Sequence, residues 1–255
     1  MSRCAFVEAP EGLEPESREW EELARHVAAV KPDILVMNEM PFGSWLAGHA
    51  SYDPSLAERS IALHDAGAAA LASLDVPAII SSRPVAYEGR LVNEAFAIEN
   101  GQLRALHRKQ YFPEELGWHE AAWFHRDGSG FDLHEICGLK IGVLLCTELM
   151  FNEHARRYGR AGADLIVVPR ATGQALETWS TAAAMAAIVS GSYVVSSNRA
   201  GGSSSGPTFG GSGFAYGPRG NRIAQTSRAA PVLAIDIDVD EVRLQQLEYP
   251  CYVAE

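Results

Sequence analysis

The sequence predicts a layered α/β protein with mixed sheets, and three observations lead there. Short apolar runs alternate with amphipathic helical stretches in both halves of the chain. Tight-turn hairpins sit between them, as in "LVNEAFAIENGQLRALHRK" (91–109), which an all-parallel doubly wound sheet would not contain. No linker divides the 255 residues, a length that one large α/β domain accommodates, so 1–255 is read as a single domain.

The elements follow in order. Glu16 to Val30 sets Trp20, Leu23, Ala24 and Val27 at helical spacing opposite a charged face. Pro32 and Asp33 interrupt, and Ile34 to Met37 is a short buried strand that ends in "NEMPFGSW". An Ala-rich helix is expected over Leu56 to Leu74, then a strand over Pro77 to Ser82. The 91–109 hairpin turns at Asn100-Gly101, a pair suited to a two-residue turn. "FDLHEICGLKIGVLLC" (131–146) repeats the arrangement with its turn near Cys137 and Gly138. A helix over 152–163, a strand over 164–171, an Ala-rich helix over 178–192 and a strand over 193–198 come next. Gly201 to Gly213 reads as a loop, since it matches neither GxGxxG opening a helix nor GxxxxGK[ST]. A hairpin over 211–226 and a strand over 232–238 close the chain.

Composition excludes several functions. With 47% hydrophobic and 21% charged residues, the chain has the balance of a globular protein with a sizeable core. A net charge of −11 argues against a nucleic-acid partner, because phosphate binding needs clustered Lys and Arg. No window approaches the roughly 20 apolar residues of a membrane span, and the N-terminus has no apolar signal core. A soluble cytoplasmic protein without membrane association is expected. Four scattered cysteines without a CxxC pair suit free thiols, and eight histidines without HxxxH or HExxH spacing suggest no metal site.

Three apolar strands end in residues suited to catalysis. "ILVMNE" delivers Glu39, "LRALHRK" delivers Lys109 and "IGVLLC" delivers Cys146. Together they offer a base, an oxyanion stabiliser and a nucleophile at strand ends, where layered α/β proteins place their sites. Each alone has a plainer reading: a buried small residue for Cys146, a loop carboxylate for Glu39, a solvated basic turn for Lys109. The combination carries the argument.

In order and separation these residues resemble the Glu-Lys-Cys triad of the nitrilase, or carbon–nitrogen hydrolase, superfamily. "RKQYFPEELGWHEAAWF" (108–124) is similar to the family's Lys-loop, and it brings Glu120 onto the second, substrate-positioning glutamate. "GADLIVVPRATG" (162–173), "SSNRAG" (196–201) and "FGGSGFAYGPRGN" (209–221) resemble later family segments. The resemblance implies a four-layer α-β-β-α sandwich with two mixed sheets, a homodimer or higher homo-oligomer, and no metal or organic cofactor. It also implies an amidohydrolase that cleaves a small amide or N-carbamoyl substrate through a Cys146 thioester and releases ammonia. The Thr147 backbone N–H would join Lys109 at the oxyanion. The Lys-loop is nearest to N-carbamoylputrescine amidase-like members.

This chain departs from the pattern in places. Asn38 precedes Glu39 where Pro is usual, and Thr147-Glu148 follows the nucleophile where Trp-Asp or Trp-Glu is common. Members acting on N-carbamoyl-D-amino acids carry paired arginines where Leu149 and Met150 stand, leaving Arg170 as the expected carboxylate anchor. Glu148 is expected to help position substrate, and Trp118, Trp123 and Phe124 to line an apolar pocket. The C-terminal extension of nitrile-hydrolysing members is expected to be absent. The alternatives are a nitrilase that makes acid from a nitrile, and a non-catalytic binding protein that retains the fold.

Overall fold

The computed structural model describes residues 1–202 and 206–254. Its first element, β1 (Ser2–Pro10), lies in a segment for which no strand is predicted above, because the apolar run Cys4 to Val7 is short and flanked by Arg3, Glu8 and Pro10. After it come α1 (Arg18–Val30), β2 (Ile34–Val36), α2 (Pro54–Ala72), β3 (Ala78–Tyr87), β4 (Arg90–Glu99) and β5 (Gln102–Arg108). A loop carries the two-residue pair β6 (Glu114–Glu115) and β7 (Trp118–His119) and the one-turn helix α3 (Glu120–Trp123). The second half comprises β8 (Leu133–Ile136), β9 (Leu139–Val143), α4 (Asn152–Arg160), β10 (Leu165–Pro169), α5 (Leu176–Ser190) and β11 (Tyr193–Gly202). It ends with β12 (Thr208–Gly210), β13 (Phe214–Tyr216), β14 (Arg222–Gln225), β15 (Val232–Ile237) and α6 (Val239–Gln246).

One sheet has the order β5-β4-β3-β2-β1-β15 and the other β8-β9-β10-β11-β13-β14. Their central strands run parallel while hairpins add antiparallel neighbours, so both sheets are mixed. β1, unforeseen in the sequence, is thus a central strand. Its last residues, Glu8 to Pro10, pair in parallel with Asn198 to Ala200 of β11 and join the two sheets.

Alternation of side chains along each strand builds the layers. Cys4, Phe6, Ile34, Val36 and Ile80 of the first sheet meet Ile141, Val143, Val167 and Val195 of the second in one buried cluster. On the far side of the first sheet, Val7, Leu35 and Ile79 lie under Trp20, Leu23 and Val27 of α1 and Leu71 of α2. On the far side of the second, Ile166, Val168 and Val194 lie under Ala155 and Tyr158 of α4 and the alanines of α5. The order helix, sheet, sheet, helix is the expected four-layer sandwich. Strands buried on both faces explain why their sequences are continuous apolar runs.

Local chemistry sets the boundaries. The Ser17 hydroxyl caps α1 by accepting from the Trp20 N–H, and Asp53 caps α2 with Pro54 in its first turn. Asn100-Gly101 and Cys137-Gly138 both adopt positive φ, as the hairpin turns require. Part of the Gly/Ser stretch expected as loop is strand: β12 pairs with Ala200 to Gly202, while Ser203 to Ser205 lie outside the described residues. Among the described residues no helix is long and apolar enough to cross a membrane.

The Ala-rich face of α5 is used inside the chain, against α4. The approach is closest at Gly159, where an added Cβ would lie 2.3 Å from the Ser190 carbonyl oxygen and 2.4 Å from its Cα. Backbone cannot yield as a flexible side chain does. Gly159→Ala is therefore expected to destabilise the fold by about 2 kcal/mol or more, measured as a lower urea midpoint at unchanged slope.

Candidate active site

Each expected catalytic residue sits just beyond a strand, in backbone that has left the regular ladder. Past β2, the Met37 N–H still bonds to Ile80, the Glu39 N–H bonds to the Arg170 carbonyl at 3.2 Å, and the Met40 N–H bonds to the Ser82 hydroxyl. Past β5, the Lys109 N–H donates to the Asn93 carbonyl at 2.9 Å. Past β9, Leu144 still pairs with Val167, and then Cys146 takes a φ of 49° and opens a short 3-10 turn to Met150. A positive φ at a non-glycine residue costs about 1–3 kcal/mol and is held only by its surroundings.

The structure brings Glu39, Lys109 and Glu120 into direct contact, all fully buried. Lys109 Nζ donates to Glu39 Oε1 at 2.8 Å and to Glu120 Oε2 at 2.6 Å. Asn93 Nδ2 also donates to Glu39 Oε1, at 2.8 Å. Glu39 Oε2 and Glu120 Oε1 have no protein hydrogen-bond partner. Cys146 and Glu120 line one cavity of about 270 Å³, with Thr147, Thr172, Trp118 and Trp179 on its walls and Glu115 and Gln174 among its polar groups. Among the described residues no group of three His, Cys, Asp or Glu side chains is placed to hold a metal ion.

The carbon–nitrogen hydrolase family profile matches residues 12–246. The chain belongs to the carbon–nitrogen hydrolase family. It is 32% identical over 145 residues to a hydrolase of the pqqF 5′ region in Pseudomonas protegens, covering 56% of this chain and 50% of that protein. It is 29% identical over 154 residues to an N-carbamoylputrescine amidase of Arabidopsis thaliana, covering 54% and 52%. The chain thus spans about half the length of the curated relatives it matches. A carbon–nitrogen hydrolase of Helicobacter pylori G27 superposes with a TM-score of 0.87 over 98% of this chain and 94% of that one, at 20% identity. An amidase from Nesterenkonia sp. gives 0.78 over 95% and 92%, at 17% identity. At such identities the structural likeness shows the fold alone.

In this member of the carbon–nitrogen hydrolase family, burial dominates the electrostatics of the cluster. Burial by itself lowers the Lys109 ammonium, but Glu120, Glu39 and the neighbouring Cys146 override it and hold the group above its ordinary value, firmly charged. Burial pushes the Cys146 thiol up, Glu39 adds to the effect and Lys109 opposes it, so the resting sulfur is protonated. Burial likewise raises Glu120, opposed by Lys109 and reinforced by Glu39, to about 8.

Two expected substrate contacts are placed elsewhere. Arg170 is fully buried and does not line the cavity. Its guanidinium donates to the Ser196 and Thr172 hydroxyls and the Ser212 carbonyl, and it lies 4.3 Å from the Phe214 ring centroid. It organises the loops around Thr172 instead of anchoring a carboxylate. Glu148 is also buried, with both oxygens occupied by protein donors. Of the three aromatics proposed for the pocket, Trp118 lines it, whereas Trp123 and Phe124 are core.

Other residues hold the site without having stood out in the sequence. Arg199 donates to the carbonyls of Glu39, Met40 and Gly43 and pairs with Glu11, which fixes the loop that carries Glu39. Asn93 lies mid-strand beside Glu94 and between apolar residues, and a polar pair there is the one signal that hinted at a partner.

The raised Glu120 gives a pH test. The folded state keeps this proton up to about pH 8, whereas the unfolded chain releases it near the ordinary 4.5. Between those values the unfolded state binds fewer protons, so the contribution of Glu120 to stability declines as pH rises. Unfolding free energy of Glu120→Gln relative to wild type should therefore grow from about pH 5 to about pH 8 and level off beyond. A pH-independent difference across denaturant titrations would contradict the assignment.

Proposed function

We propose that this protein hydrolyses the C–N bond of a small amide or N-carbamoyl compound through a thioester on Cys146, with release of ammonia. The observation that carries the reading is the buried Lys109 ammonium, hydrogen-bonded to two carboxylates next to a thiol on the wall of a small cavity.

The chemistry follows from the charges. Because the thiol is protonated at rest, attack on the substrate carbon is coupled to proton transfer from sulfur to Glu39, whose Oε2 has no protein partner. As the S–C bond forms, the carbonyl electrons move onto oxygen. The Lys109 ammonium and the Thr147 N–H stabilise that oxyanion, and losing one such donor costs about 3 kcal/mol of barrier. Glu39 returns the proton to the leaving nitrogen, the C–N bond breaks and ammonia departs. Water then adds to the thioester with Glu39 as base, and collapse releases the acid and restores the thiol. Glu120, whose Oε1 has no protein partner, presents that oxygen to the substrate and keeps Lys109 aimed at the reacting carbon.

The cavity supports a small substrate without a free carboxylate. Its lining contains no Lys or Arg, whereas Glu115, Gln174 and the indoles of Trp118 and Trp179 suit a neutral or cationic tail. The name N-carbamoylputrescine amidase, carried by three plant relatives, points the same way.

The test is ammonia release from a matched panel of primary amides, N-carbamoyl amines, N-carbamoyl amino acids and nitriles. Amides or N-carbamoyl amines are expected to react and to leave an acyl adduct on Cys146 detectable by mass spectrometry. Cys146→Ala is expected to lose both the adduct and at least about 1,000-fold in kcat. Turnover of nitriles alone, or full activity in Cys146→Ala, would sink the reading.

A further inference from the structure

Beside the cavity, one carboxylate that takes no part in the chemistry above joins the ends of two catalytic strands. Glu148 is fully buried and is not among the residues lining the cavity. Its Oε2 accepts from the Leu145 N–H at 2.8 Å and lies 2.7 Å from His107 Nε2. Its Oε1 accepts from the Gln110 N–H at 2.7 Å. Leu145 immediately precedes Cys146, Gln110 immediately follows Lys109, and His107 lies two residues before Lys109. The strand that leads to Lys109 belongs to the first sheet, and the one that leads to Cys146 belongs to the second. One side chain therefore spans the gap between the sheets at the level of the reacting groups.

His107 completes the arrangement. The Phe131 N–H donates to Nδ1 at 3.3 Å, which assigns the proton to Nε2 and makes it a donor to Glu148. The ring is boxed in: an added Cβ on Gly130 would meet Nδ1 at 2.2 Å, and the Phe131 ring lies 4.8 Å away. A buried carboxylate with three N–H donors fixes each of them, and none can find water if it leaves.

We propose that Glu148 and His107 are positioning residues that set the Lys109 ammonium at its working distance from the Cys146 thiol. The proposal rests on the reading that both groups act on the same substrate carbon. A purely structural staple would lower stability and leave the folded enzyme's chemistry intact. A positioning pair must change kcat, because a misplacement of about 1 Å at reacting atoms costs on the order of 100-fold.

The experiment measures three quantities on wild type, Glu148→Gln, His107→Phe and His107→Gln, all well below each melting temperature. They are kcat and KM on an amide that wild type turns over, the rate of Cys146 alkylation by iodoacetamide, and the melting temperature. Glu148→Gln has the same shape but one acceptor oxygen, so it must present an NH₂ to a donor. It is expected to lose about 10–100-fold in kcat with KM within threefold, and Cys146 alkylation should slow in parallel. His107→Phe should behave alike, whereas His107→Gln, which keeps an N–H donor, should return to within about threefold of wild type. If Glu148→Gln does not fold, the two His107 variants decide. Wild-type kcat and alkylation in folded Glu148→Gln or in His107→Phe would overturn the proposal, whatever the melting temperatures. If wild type turns over no amide, the function proposed above fails while the alkylation rates still test the positioning pair.

Discussion

Everything at the site depends on keeping one ammonium charged in a place without water. Lys109 is fully buried, and an isolated buried cation would lose its proton. Two carboxylates within 2.8 Å reverse that tendency, and neither would be comfortable there without the lysine. Lys109 and its two carboxyl partners are mutually necessary: removing one partner of a buried pair typically costs about 3–5 kcal/mol, because the other is left uncompensated. The excess negative charge is absorbed partly by Asn93, which donates to Glu39, and partly by Glu120, whose carboxyl holds its proton up to about pH 8. Burial, reinforced by Glu39 and opposed by Lys109, keeps the Cys146 thiol neutral.

The sandwich makes this possible by supplying rigid origins for short irregular segments. β2, β5 and β9 all end near the same edge, and a few residues beyond each end reach toward a common point. Those residues have left the sheet ladder, so their backbone groups need other partners. They find them in buried side chains: Arg199 for the carbonyls after β2, Ser82 for the Met40 N–H, Glu148 for the N–H groups flanking Lys109 and Cys146. Arg170 does the same for the Ser212 carbonyl between β12 and β13 and ties it to the Thr172 hydroxyl after β10, and this explains why a fully buried guanidinium does not face the cavity. The polar core of this protein is largely a set of fixings for three loops.

That division also explains what could be read in advance. The position of Glu39, Lys109 and Cys146 beyond strand ends was legible because each interrupts an apolar run at its end, a pattern confined to a few neighbouring residues. The turns at Asn100-Gly101 and Cys137-Gly138 were legible for the same local reason. Asn93, Arg199 and Glu148 were not, because their roles exist only in pairings between segments far apart: 54 residues separate Asn93 from Glu39, and 188 separate Arg199 from Glu11. β1 was missed for a related reason. Its apolar stretch is short, and its central place is decided by β2, β15 and β11, which lie elsewhere in the chain. Arg170 and Glu148 were assigned to substrate on position alone, and both lie fully buried outside the cavity lining, bonded to protein partners.

The departures from the family pattern take on meaning in this light. A threonine after Cys146 leaves a small residue at the cavity wall, and the aromatic bulk is supplied by Trp118 of β7 and Trp179 of α5. Trp118 is itself held against Trp45 and Phe209, with ring centroids 5.8 and 5.4 Å away. Phe209 belongs to β12, the strand formed within the Gly/Ser stretch, and Trp45 follows Glu39 by six residues. The support behind Trp118 is therefore built from the Lys-loop, the Glu39 loop and β12 together. Its shape depends on contacts among three segments, while the reacting groups depend on the buried charges beneath it. Substitutions in that wall can then reshape the cavity without disturbing the Lys109 cluster, a separation that lets one scaffold hold cavities of different shape over the same buried charges.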